Sequence, residues 1–236
     1  ADGAAEAPAE ATTTIEEDAP EPIEWKSRFE AGFNGSEGRT EKLDTRATFA
    51  TERRTDETRL AFDANYRSAT SRGDRTQNKF DIGGIHDWYF PESPWLAFIQ
   101  GRFEYDEFAA YDHRYSAGGG LGYTFVKNDQ TELVGRVGLG GSYEKGGPND
   151  GDVTPEGILK INLSHHFNDI TSLTAGAEYY PDLSAFGDYR AVLSAAIETK
   201  LSAGSPASIK FGVRQELEEY ENSDREDLLE FFGLFV

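Results

Sequence analysis

The sequence predicts an all-β protein: an antiparallel up-and-down transmembrane β-barrel of about twelve strands, preceded by a disordered N-terminal tail. Three observations predict it. From Trp25 onward apolar and polar residues alternate with a period of two, the mark of a strand with two unlike faces. Aromatic residues make up 13% of the chain, and many of its 25 glycines fall inside strand-like segments, where a soluble sheet would be weakened by them. The connections between segments alternate between short and long, as they do in bacterial barrels.

Composition narrows the classes further. The chain carries 43 acidic against 23 basic residues, a net charge of −20, so nucleic acid is not expected as a partner. Only 37% of residues are hydrophobic, which suits a wall in which every second strand residue faces lipid. No run approaches the roughly 18 apolar residues of a membrane helix. The absence of Cys excludes disulfides, thiolate catalysis and cysteine metal sites. The absence of Met, with Ala1-Asp2-Gly3 at the start, suits a chain that begins after a small-residue cleavage site.

Residues 1–24 hold eight acids, no base and no apolar period. Such a segment buries too little to offset its ordering entropy and is expected to be an acidic periplasmic tail. The barrel is expected over 25–236. In its first strand Trp25, Phe29, Ala31 and Phe33 share a face, with Lys26, Arg28, Glu30 and Asn34 on the other. Leu43, Thr45, Ala47 and Phe49 then alternate with Lys42, Asp44, Arg46 and Thr48, and Leu60, Phe62, Ala64 and Tyr66 with Arg59, Asp63, Asn65 and Arg67. The remaining strands fall near 76–90, 94–105, 110–126, 131–144, 156–167, 170–180, 187–201, 206–218 and 226–236. The even connections (RRTDE, PESP, KNDQ, ND, SAGSP) are short and the odd ones mostly longer. An even strand count puts both termini on the short-turn, periplasmic side. Trp25, Trp88 and Trp95, with Phe125 and Phe235, fall at that same end, where interfacial rings form a belt.

The polar face is the candidate functional surface. Along the first four strands it carries Arg28, Glu30, Asp44, Arg46, Arg59, Asp63, Arg67 and Asp81. Further on it carries Arg102, Glu104, Asp112, Arg114, Arg136, Lys160, Glu178, Arg190, Glu198 and Arg214. The signs interleave, so these side chains either brace a narrow barrel or line a path for small polar solutes. A twelve-strand barrel lies between the filled eight-strand and the open sixteen-strand cases. Roughly balanced charge argues against strong anion selectivity.

The blocks WKSRFEAGFNGSEGRTEKLDTRATFATERRTDETRLAFDANYR and FEYDEFAAYDHRYSAGGGLGYTFV resemble the salt-stress-induced outer-membrane protein family, domain of unknown function 481, over about 25–236. Gly32–Arg39 and Arg114–Tyr123 carry most of the likeness. The resemblance implies an outer-membrane barrel of a Gram-negative-type bacterium with no established activity and no catalytic residues to carry over. Its partners would be the lipid bilayer, other envelope proteins and the barrel-assembly machinery, which reads an aromatic last residue. Here Phe235 stands one residue before the end.

Other chemistry is weakly signalled. Ser164-His165-His166 suggests a hydrolase, but on a strand Ser164 and His166 stand about 7 Å apart and face the lumen. His86 and His113 gather no zinc ligands, and Asn149-Asp150-Gly151-Asp152 lacks the full calcium-loop pattern. Gly118-Gly119-Gly120 precedes no helix, so it eases a strand bend rather than cradling phosphate. No enzyme, metal or cofactor is expected. The expectation is a structural, envelope-stress-related barrel or a narrow channel. The alternatives are a binding module, either a soluble or surface β-sandwich or a barrel within an envelope assembly, and less favoured, an outer-membrane hydrolase.

Overall fold

The computed structural model describes residues 24–36, 42–147, 150–185, 187–219 and 226–235. Twelve antiparallel strands follow one another: β1 (Trp25–Ser36), β2 (Lys42–Arg54), β3 (Thr58–Ser71), β4 (Asp74–Tyr89), β5 (Trp95–Asp106) and β6 (His113–Lys127). The second half contributes β7 (Thr131–Lys145), β8 (Val153–His166), β9 (Thr171–Pro181), β10 (Tyr189–Lys200), β11 (Ser208–Glu219) and β12 (Glu226–Phe235). Each strand pairs with its sequence neighbours, and β1 meets β12 through Ala31 and Phe235 to close the ring. The two-sheet sandwich that the same alternation allowed is not formed. Of the N-terminal tail expected over 1–24, residues 1–23 lie outside the described residues.

Period-two alternation decides which way each side chain points. Cross-strand partners share a face, so Phe29 beside Phe49, and Phe49 beside Ala64, build a continuous outer surface. That surface leaves Phe33 75%, Leu139 67% and Phe211 65% exposed. At roughly 25 cal/mol per Å², so much bare apolar area is unfavourable in water and stable in hydrocarbon. The ring closes at the Ala31–Phe235 pair, and a closed barrel is the sheet topology that suits a bilayer.

At the short-turn end the connections are closed by side-chain oxygens. Thr55 Oγ1 accepts from the Thr58 amide, Asn128 Oδ1 from Thr131 and Asn168 Oδ1 from Thr171. Ser93 Oγ accepts from Trp95 and Ser205 Oγ from Ala207. These are turns that Asn, Ser and Thr form locally by capping their own backbone. The expected length alternation is imperfect. The β3–β4 connection, expected long, is a tight turn with Arg72 and Gly73 at positive φ (55° and 87°), the geometry that suits a twisted two-residue hairpin. The β10–β11 connection, expected short, spans 201–207, as long as its counterpart between β9 and β10 at the other rim.

The lumen is not wholly ionic. Leu96 and Phe98 on β5, Val134 on β7, Ile158 on β8 and Tyr180 on β9 form a buried apolar cluster on the inner face, with Ile85 and Tyr89 against it. Its space comes from glycine. Gly118 pairs with Gly140 and Gly120 with Gly138 across β6 and β7. A Cβ on Gly118 would lie 2.5 Å from the Ile158 methyl, and one on Gly120 only 2.1 Å from the Val137 carbonyl oxygen. Large side chains of β5 and β8 therefore lean over a bare stretch of β6 and β7.

Candidate functional site in the barrel lumen

Two chambers open inside the barrel. The larger, about 870 Å³, runs from the short-turn rim inward. The smaller, about 300 Å³, lies beneath the β7–β8 and β9–β10 connections at the other rim. Tyr180 and Arg190 line both chambers and form the wall between them.

The packed half of the bore is held by ion pairs that reach across it. Lys79 Nζ on β4 lies 2.8 Å from Glu216 Oε2 on β11, and Arg114 Nη1 on β6 lies 2.7 Å from Glu218 Oε1 on β11. Glu104 on β5 faces Arg190 on β10 at 3.6 Å. Each of these pairs joins strands five places apart around the ring, close to opposite sides. Arg114 is 2% exposed and also donates to Glu144 at 2.8 Å. Its guanidinium lies 4.0 Å from the ring of Tyr111, which the β5–β6 connection tucks in at this rim. Burial pushes the Tyr111 phenol well above its ordinary range. Ionic pairs this buried contribute uncertain net stability, but removing one partner strands a charge, so they specify the packing.

In the open half, its mouth excepted, the pairs run along the wall instead. Arg102 donates to Asp63 at 3.0 Å and to Asp81, while Asn65 links the same two carboxylates at 2.9 Å. Arg136 grips the fully buried Asp87 through two nitrogens, at 3.2 and 2.8 Å, and Arg59 adds a third contact at 3.2 Å. Lys160 lies 3.0 Å from Glu178. Glu30 is held by Lys210 at 2.9 Å and Arg28 at 3.3 Å. At the mouth Arg54 of β2 reaches Glu132 of β7 at 3.0 Å, a strap across the opening.

Thirteen of the eighteen lumen-facing residues named from sequence line the large chamber: Arg28, Glu30, Arg46, Arg59, Asp63, Arg67, Asp81, Arg102, Arg136, Lys160, Glu178, Arg190 and Arg214. Glu104 and Arg114 sit in the packed half, away from that chamber. Glu198 is engaged by Arg28 at 2.8 Å and by the Ser208 hydroxyl at 2.6 Å, outside its lining. Asp44 and Asp112 line neither chamber. Asp44 is exposed two residues into β2, and Asp112 is exposed in the β5–β6 connection, because β6 starts only at His113. Sequence reasoning missed the inner apolar cluster. Its signal was the Leu-Ala-Phe-Ile run of 96–99, apolar on both faces, opposite strands whose inner face is glycine.

The rim aromatics form contacts on the outer surface. Trp25, Trp88 and Trp95 are all partly exposed at the short-turn end. Trp25 stacks on Phe62 with ring centroids 6.3 Å apart, His86 on Trp88 at 4.1 Å, and Trp95 meets Tyr123 edge-on at 5.0 Å. Phe125 continues the series beside Tyr123 at 5.1 Å. The ring of Phe235 lies outside the described side chains. Ser164 and His166 line the large chamber, whereas His165 accepts or donates at Nδ1 to the Thr131 hydroxyl, 2.8 Å away. Among the described residues no three His, Asp or Glu side chains are placed to hold a metal ion.

The chain belongs to the family described as "Protein of unknown function, DUF481", whose model matches residues 29–236. No curated protein matches it. Among solved structures it is similar to the NanC porin, with a TM-score of 0.52 at 10% identity over 89% of this chain and 97% of that one. It is also similar to the translocator domain of the autotransporter NalP from Neisseria meningitidis, at 12% identity and a TM-score of 0.48, over 89% of this chain and 86% of that one. The fold is that of a porin-like outer-membrane β-barrel.

Proposed function

We propose that this protein resides in the outer membrane, with both termini periplasmic, and gives small polar solutes a narrow, constricted passage. The outward apolar surface and the capped turns at the terminal rim support the placement. One observation carries the passage: two chambers of about 870 and 300 Å³ approach from opposite rims and meet at Tyr180 and Arg190. Moving those two side chains would join the chambers without disturbing a backbone hydrogen bond.

A second reading is structural, a braced barrel in a stressed envelope. The ion pairs across the packed half favour it, because they tie opposite walls together. Planar-bilayer recording of the purified barrel separates the two. Steady single-channel current supports the passage. Silence from a preparation that is folded, as judged by heat-modifiable gel migration, supports the structural role and ends the passage reading.

A further inference from the structure

The large chamber differs in charge from the protein around it. Eleven Arg and Lys side chains line it against six Asp and Glu, in a chain whose net charge is −20. Counter-charges exist, but several are set back. Asp87 has no exposed surface, and Glu216 pairs with Lys79 in the packed half. The lumen as a whole is therefore not strongly charged, and the surplus acts on a solute at contact range through the guanidinium and ammonium groups.

Those groups converge at the inner end. The Arg190 guanidinium lies 4.3 Å from the Tyr180 ring centroid and the Lys160 ammonium 5.4 Å from the same centroid. Arg102 lines the same chamber. Three strands, β5, β8 and β10, thus bring cations to its lining. The second observation is independent of charge. Arg190 is only 9% exposed, its Nε has no hydrogen-bond partner, and its contacts to Glu104 and Glu156 are both as long as 3.6 Å. On the lining of the same chamber Gln100 Oε1 is buried without a donor. Glu104 Oε2, the oxygen 3.6 Å from Arg190, is unpartnered as well. Buried polar atoms left unsatisfied cost about 1–3 kcal/mol each, so one donor and two acceptors kept in this region call for a ligand that both accepts and donates.

We infer that the inner end of the large chamber, bounded by Arg102, Lys160, Tyr180 and Arg190 with Gln100 beside them, is a binding site for a small oxyanion that also carries a hydroxyl, of the hydroxycarboxylate class. A carboxylate oxygen accepts from Arg190 Nε, with Lys160, which also pairs with Glu178 at 3.0 Å, and Arg102, which also donates to Asp63 and Asp81, adding positive charge beside it. The ligand's hydroxyl donates to Gln100 Oε1. This rests on the passage reading only for how the solute arrives; the site itself needs no conduction.

The test uses the full chain refolded in uncharged detergent, with citrate as the probe, by isothermal titration calorimetry at pH 7. Saturable binding at one site per chain, weakened by added salt, is expected. Lys160→Gln should weaken it at least tenfold, about 1.4 kcal/mol, while Lys160→Arg stays within threefold. Heat-modifiable migration certifies that each variant is folded. Absence of saturable citrate heat in the wild type, or unchanged affinity in folded Lys160→Gln, overturns the inference. Bilayer recording keeps the two proposals apart. A conducting barrel that ignores citrate leaves the passage and removes the site. A silent barrel that binds citrate keeps the site and removes the passage.

Discussion

Replacing Gly120 by alanine tests the idea that glycine shapes this wall. The added Cβ would stand 2.1 Å from the Val137 carbonyl oxygen and 2.5 Å from the Gly138 Cα. Ordinary contacts begin at about 3.5 Å, so β6 and β7 must separate by more than about 1 Å here. Both obstructing atoms are backbone, so no rotamer change relieves the clash. Overpacking costs about 1–3 kcal/mol, and straining the flanking ladder bonds adds about 1 kcal/mol for each one lost. A loss of about 2–4 kcal/mol is expected. Gly101→Ala on neighbouring β5 is the control, because its Cβ would meet only the Ser116 carbonyl oxygen at an unstrained 3.6 Å. Urea unfolding in lipid vesicles, followed by tryptophan fluorescence, measures both. If the two variants unfold within about 1 kcal/mol of each other, the close approach of β6 and β7 does not shape the barrel as argued.

Three further outcomes follow from the lumen. Arg114→Leu leaves Glu144 and Glu218 facing each other without their shared cation, and should destabilise the barrel by about 3–5 kcal/mol in the same urea assay, with part recovered on adding Glu218→Leu. Tyr180→Ala removes half of the wall between the chambers, so single-channel conductance should rise at least twofold over the wild type; an unchanged conductance would place the constriction elsewhere. Burial holds the Tyr111 phenol above its ordinary value near 10, so the stability it contributes is whole below that pH and is lost as pH rises through the raised value. Ultraviolet difference titration should show the same tyrosinate amplitude near pH 10 before and after Tyr111→Phe; losing one tyrosine's amplitude there would sink the assignment.

The outer surface was legible because period two needs no partner to be seen. Phe33, Phe49 and Leu139 face outward wherever their strand sits in the ring, and their polar neighbours must then face inward. Two kinds of feature were not legible. Leu96 and Phe98 occupy a run that is apolar on both faces, so alternation could not say which residues turned inward; only the bare glycines of β6 and β7 opposite decide it. Partners such as Lys79 and Glu216 stand 137 positions apart in the chain. Which strands oppose across the bore depends on strand number and tilt, and a linear pattern does not contain either. Asp112 shows the smaller error: starting β6 three residues early put an exposed connection residue on the lumen face.

The direction of ion pairing explains why one half of this barrel is packed and the other open, although both are lined by charge. A cation that meets its carboxylate one or two strands away, as Arg102 meets Asp81 and Asp63, lies along the wall and leaves the axis clear. A cation that meets its carboxylate five strands away must extend across the axis, as Lys79 and Arg114 do. Both signs of charge line both halves; the register of acids and bases around the ring differs. Arg190 sits at the change from one regime to the other. It reaches across toward Glu104 but stops at 3.6 Å, too far for a hydrogen bond, and keeps an unused Nε. On the proposed passage, a side chain that neither closes the bore with a tight pair nor lies flat on the wall is the one whose position a solute would change at least cost. How open each half of this bore stands thus follows the geometry of a few pairs and not the strand number alone.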